Sequence, residues 1–193
     1  SRLVEASLLQ VEVTDGTTSY RMLEPVRQYG ARRLKEAGED QVTRRRHAEH
    51  FAERAAPLAD YEDTGRWTDL LRVGGSIADD CRAAIAWGVA EGAPDIALRV
   101  AISLTAYWAA VTATREGFAA LRSVLQAAPR EPSPQRQRAL YYCATFALGL
   151  NEPADEWRDE LRDSASALGT PEAQSQAAGA IGYLAFARGD LEE

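Results

Sequence analysis

Several things are scarce in this chain, and each scarcity closes a route to function. No apolar run approaches the ~20 residues needed to cross a bilayer, and the first residues lack the pattern of a secretory signal. Cysteine occurs twice, at Cys81 and Cys143, inside helical patterns and without the spacing of a metal site or a disulfide framework. Two buried thiols in a reducing compartment is the expectation, and a cytoplasmic location with it. Histidine also occurs twice, as His47 and His50, with no third ligand at useful spacing and no nucleophile set in an oxyanion-type turn. No G-x-x-x-x-G-K-[ST] cradle for phosphates is present. Gly74-Gly75-Ser76 reads as a loop and helix N-cap, because no Lys or Arg follows to complete an anion site. No catalytic, cofactor or metal residue is assigned.

What is there is apolar and unevenly charged. The composition, 46% hydrophobic and 26% charged, is that of an ordinary globular protein. The net charge of -7 divides into about +1 over residues 1–54 and -8 over the rest. An acidic body repels a duplex before any base can be read, so only the N-terminal quarter could touch DNA. Its basic cluster is Arg44-Arg45-Arg46, preceded by Arg32, Arg33 and Lys35. Pairing with Glu36, Glu39, Asp40 or a neighbouring domain is the reading preferred over a phosphate contact.

Leu9, Val11 and Val13 alternate with polar residues, Thr14-Asp15-Gly16-Thr17-Thr18 supplies turn chemistry, and Tyr20 to Leu23 resumes an extended run. That is a hairpin. Everything afterwards has helical period. Pro25 opens a helix with Val26, Tyr29, Gly30 and Leu34 on one face. Stripes then follow at Ala48–Leu58, at Ile77–Gly88, and from Pro94 through Trp108 to Val111. Phe118–Ala128 forms the next. Leu140–Leu150, capped at Ser133-Pro134, is apolar on two faces and is expected between neighbours. Pro153–Leu168 and a last helix from Pro171, with Ala177, Ile181, Leu184 and Ala187 inward, complete the chain. Helices of 12–18 residues with short Gly/Pro loops fit a right-handed array of antiparallel helix pairs. Of the aromatic residues, Trp108 fits a core stripe, while Tyr107, Tyr141, Tyr142 and Trp157 are the candidate partner or effector surface.

Two resemblances follow from particular residues. Ile181-Gly182 before the turn Gly189-Asp190 resembles the first helix of a tetratricopeptide repeat, whose second helix would be missing, so the last repeat reads as truncated. Leu3-Val4-Glu5-Ala6-Ser7-Leu8-Leu9, Tyr20 to Tyr29, Arg44 to Phe51 and Asp79 to Trp87 together resemble a series in the signal-transduction ATPases with numerous domains (STAND), including SARP-type and LuxR-type bacterial regulators. Cys81 departs from the Asp-Asn-Leu usual there. The resemblance implies that residues 1–42 are the C-terminal part of a winged-helix domain with its wing hairpin, and that 43–193 are a TPR-like helical-repeat domain. It also implies a missing upstream nucleotide-binding module holding ATP or ADP, which this chain would couple to a partner protein or small effector at the repeats. Direct DNA contact by this segment is not expected, and oligomerisation is open. A DNA-binding winged-helix module with a helical dimerisation domain, and a plain assembly scaffold, are the alternatives.

Overall fold

The structure, a computed structural model, describes residues 2–14 and 17–188. It is mainly α-helical: a small antiparallel hairpin near the start, then an array of helices. Residues fall into two compact units, Ser1–Arg45 and Arg46–Glu193.

In the first unit, helix α1 (Arg2–Glu5) leads to strands β1 (Leu9–Thr14) and β2 (Thr17–Met22). They pair in antiparallel register with Leu9 opposite Met22 and Val11 opposite Tyr20. The second strand begins three residues before the expected Tyr20: Thr14, Thr17 and Thr18, expected in the turn, are paired in the backbone ladder, Thr14 with Thr17 and Val13 with Thr18. The expected turn residues Asp15 and Gly16 lie outside the described residues. Much of the apolar hairpin faces solvent, Val13 at 67% and Tyr20 at 60% exposure. Helix α2 (Glu24–Glu36) starts at Pro25 as the sequence suggests, but it buries no residue fully. Val26, Gly30 and Leu34 are half-covered, whereas Tyr29 is exposed.

The second unit has a continuous core. Helix α3 (Asp40–Ala55) buries Ala48, Ala52 and Ala55, and Pro57 then breaks the stripe so that a separate α4 (Leu58–Asp63) follows. Helix α5 runs from Trp67 to Ala90, so the Gly74-Gly75-Ser76 loop expected from the sequence is the middle of a 24-residue helix. The reason is tertiary. Leu70, Gly74, Ile77 and Cys81 form one buried ridge, and a Cβ on Gly74 would lie 2.7 Å from Cγ of Tyr107. Glycine is there for close approach, not for a turn.

The expected long helix from Pro94 is also divided, into α6 (Pro94–Ser103) and α7 (Thr105–Ala110). Ser103 Oγ donates to the carbonyl of Arg99 (2.8 Å) and Thr105 Oγ1 to that of Ile102 (2.9 Å), hydroxyl bonds that compete with regular helix. The Leu104 amide is left shared between the carbonyls of Val100 and Ala101. Val111 accordingly falls beyond α7 and is exposed.

Helices α8 (Thr114–Ala127), α9 (Pro134–Gly149), α10 (Asp155–Leu168) and α11 (Pro171–Arg188) complete the array. Helix α9 packs against α6, α8, α10 and α11, which is why its sequence is apolar on two faces. Ser133 caps it by accepting the Arg136 amide at 3.1 Å. In α11 Ala177 is buried and Ile181 half-buried; the side chains of Leu184 and Ala187, and the turn at Gly189-Asp190, lie outside the described residues.

Candidate functional site

The aromatic residues singled out from the sequence lie on three different helices. Tyr107, half-buried on α7, lays its ring over Gly74 and brings its hydroxyl within 3.6 Å of a Cβ built on Gly75. Tyr141 and Tyr142, half-buried on α9, meet edge to face with ring centroids 5.1 Å apart. Arg138 stands over the Tyr142 ring at 5.9 Å. Among the described residues no ring contact joins Tyr107 to this pair. Trp157, at 5% exposure, is part of the core and offers packing area rather than surface. Trp108 is in the core at 1% exposure, as its stripe indicated.

Arg44, Arg45 and Arg46 are consecutive exposed residues on α3. On the preceding helix, Arg33 and Arg32 both reach Glu36, at 2.6 and 3.8 Å. His47 is anchored, with Nε2 3.1 Å from Oδ1 of Asp80 on α5 and its ring 4.7 Å from Phe51. Both cysteines are free and buried. Burial, reinforced by Asp80, pushes the Cys81 thiol up to about 12, and burial likewise pushes Cys143 up to about 12. Neither carries the thiolate that nucleophilic or redox chemistry at neutral pH requires. Among the described residues no group of His, Cys, Asp and Glu is arranged to hold a metal ion. No helix among them is long and apolar enough to cross a membrane.

Two polar nodes escaped the sequence reading, and both tie helices together. In the first, Glu116 of α8 accepts from Nε1 of the buried Trp108 at 3.0 Å and from Nε of Arg82 on α5 at 2.7 Å. Arg82 also engages Asp79. Partial burial is the largest influence on Glu116 and pushes its pKa up. The hydrogen bonds from Arg82 and Trp108, together with the Arg82 charge, outweigh it, and the carboxyl is held below its ordinary value. A Cβ on Gly117, the next residue, would lie 2.6 Å from the Phe146 ring and 2.9 Å from that of Trp108.

The second node is Arg136 at the start of α9. Its side chain is 3% exposed and pairs through Nε with Oε1 of Glu160 on α10 at 2.5 Å, the Glu160 side chain being 16% exposed. Its Nη1 donates to the Leu125 carbonyl at 3.1 Å and to that of Ala128 at 3.4 Å. One guanidinium therefore satisfies carbonyls left open at the C-terminus of α8 and joins three helices. Beside it the buried Gln137 donates from Nε2 to the Ala173 carbonyl of α11 at 3.1 Å. The sequence did carry a signal: Arg136 shares a helical ridge with Leu140, Cys143 and Ala147, all buried.

No family model matches the chain, and no solved structure matches it. Three curated proteins are similar to it, each 35% identical over 124 residues. Those from Mycobacterium tuberculosis strain H37Rv and Mycobacterium bovis both bear the name "Putative HTH-type transcriptional regulator". The match takes in 64% of this chain and 14% of theirs, so the chain corresponds to about a seventh of the length of these relatives.

Proposed function

We propose that this chain is a regulatory, non-catalytic part of a cytoplasmic transcriptional regulator. The observation that carries this reading is the 35% identity over 124 residues to proteins named as HTH-type transcriptional regulators. The buried, protonated thiols and the absence of a phosphate cradle from the sequence agree with a role in binding and coupling.

The finer reading is a STAND-type regulator. Residues 1–42 form the end of a winged-helix domain with β1 and β2 as its wing, and 43–193 form a TPR-like sensor array. Support comes from the motifs that carry the resemblance and from the hairpin followed by helices in the expected order. In this role the array binds a protein partner or small effector. The winged-helix remnant passes that state to an upstream nucleotide-binding module, which alternates between packed and released arrangements. Arg44, Arg45 and Arg46 serve as interdomain contacts, and the half-exposed rings of Tyr107, Tyr141 and Tyr142 serve the partner surface.

The test is the parent sequence upstream of Ser1. A G-x-x-x-x-G-K-[ST] loop in a strand–helix context, with ATP binding lost when its Lys is replaced, is the expected result. A parent that carries no such loop and binds no nucleotide overturns the STAND reading and leaves the broader regulatory one.

A further inference from the structure

Between the C-terminal end of α3, the helix α6 and the first turn of α9 lies a cleft of ≈ 490 Å³, within the size range of small-molecule sites. Its α3 wall is made of small side chains, Ala52 and Ala56, which leave the space beside Ile102 of α6 open. Each of the three elements also supplies one polar side chain: Glu53 from α3, Arg99 from α6 and Gln135 from α9. Ser103 lines the cleft too, but its hydroxyl already donates to the Arg99 carbonyl at 2.8 Å.

Elsewhere in the array arginines hold carboxylates across helices, as Arg82 holds Glu116 and Arg136 holds Glu160. Here, among the described residues, neither Glu53 nor Arg99 has an ion-pair partner, and no hydrogen bond engages the Gln135 side chain. Opposite charges thus line one cleft without pairing with each other. Glu53 also stands in the last turn of α3, where the helix dipole disfavours a negative charge. An occupant that brings only a cation leaves Arg99 unanswered, and one that brings only an anion leaves Glu53 unanswered. A zwitterion answers both. Its carboxylate suits the planar fork of Arg99, which binds such groups in bidentate fashion, and its ammonium suits Glu53. The Gln135 carboxamide, both donor and acceptor, matches a carboxylate oxygen or a peptide group. Ala52, Ala56 and Ile102 offer apolar surface to an aliphatic side chain.

We infer that this cleft binds an amino-acid zwitterion, presented by a free amino acid or by a short peptide with both termini free. Helix α3 spans the boundary between the two compact units, at Arg45 and Arg46. The array holds it through the small residues Ala48, Ala52 and Ala55 and through the bond from His47 to Asp80. A ligand that joins Glu53 to Arg99 clasps the end of α3 to α6, so occupancy bears on the helix that leads into the array. The inference deepens the regulatory reading by naming an effector class, and rests on it only for what binding accomplishes.

Calorimetric titration of the whole chain with leucine and with alanyl-leucine tests it. One site is expected. N-acetyl-leucine, which lacks the ammonium, and leucinamide, which lacks the carboxylate, should each bind about tenfold more weakly than leucine, since each gives up a hydrogen-bonded charge. Glu53→Gln should weaken leucine about tenfold and abolish its advantage over N-acetyl-leucine; Arg99→Gln should do the same for leucinamide. Both side chains are exposed, so these variants keep the fold. Arg115→Gln, at an exposed arginine elsewhere, leaves affinity unchanged. Tighter binding of alanyl-leucine than of leucine, with the same dependence on Glu53 and Arg99, assigns the site to a peptide, and the reverse order assigns it to a free amino acid. No binding of either at millimolar concentration overturns the inference. So does binding of the two blocked analogues equal to that of leucine, or leucine binding that is equal in wild type, Glu53→Gln and Arg99→Gln. These outcomes are independent of whether the parent binds nucleotide.

Discussion

Replacing Arg136 by Met should destabilise the helical array by about 3 kcal/mol, and the structure shows where that figure comes from. Removing one member of a buried ion pair costs about 3–5 kcal/mol, because the other charge is left without compensation. Glu160 keeps some access to water, which moves the estimate toward the lower end. Loss of the Nη1 bond to the Leu125 carbonyl adds about 1 kcal/mol, partly offset by the apolar contact Met restores. Urea unfolding followed by far-UV circular dichroism reads the change: with a slope of about 2 kcal/mol/M, the midpoint falls by about 1.5 M. Combining Arg136→Met with Glu160→Leu should recover part of the loss, since the second change removes the orphaned carboxylate. A single variant within about 0.5 kcal/mol of wild type would refute the reasoning, as would a double variant no more stable than the single.

The other two predictions concern packing and pH. Gly117→Ala should destabilise by about 1–2 kcal/mol, because its Cβ meets two buried rings and overpacking outweighs the gain of about 1 kcal/mol in helix propensity. Gly179→Ala, in open space on α11, should instead stabilise by up to about 1 kcal/mol, and equal signs in thermal melts would contradict the packing described. Glu116 has its folded pKa below the ordinary value of 4.5, so the folded state binds fewer protons near that pH. Its stabilising contribution is complete above the unfolded pKa and is lost as pH falls from about 4.5 through the lowered folded value. Urea midpoints at pH 7, 5, 4 and 3 should show a shallower acid limb in Glu116→Gln than in wild type, and identical limbs would remove the role given to Arg82 and Trp108.

How far the sequence could be read depended on whether a residue's local pattern agreed with its tertiary role. Trp108, the two-faced α9 and the Ser133 cap were legible because periodicity and capping chemistry point the same way as packing. Gly74-Gly75-Ser76 was misread because the loop signal of paired glycines is local, while the approach of the Tyr107 ring that selects Gly74 comes from 33 residues further along the chain. The division between α6 and α7 turns on two hydroxyls bonding backward into the helix, and nothing in composition shows which Ser or Thr will do so. Arg136 and Gln137 sit in a polar stretch that resembles any solvated helix start. Only their register with Leu140 and Ala144 marks them as inward, and their partners Glu160 and Ala173 are not adjacent in sequence.

The central claim is that the helical array regulates rather than merely accompanies the parent's output. Deleting residues 46–193 from the parent protein and measuring transcription of its target genes, together with the nucleotide hydrolysis proposed for the parent, tests this most directly. A change in both, in the same direction and of several fold, is the predicted result. Hydrolysis and transcription that remain at wild-type levels without the array would contradict it.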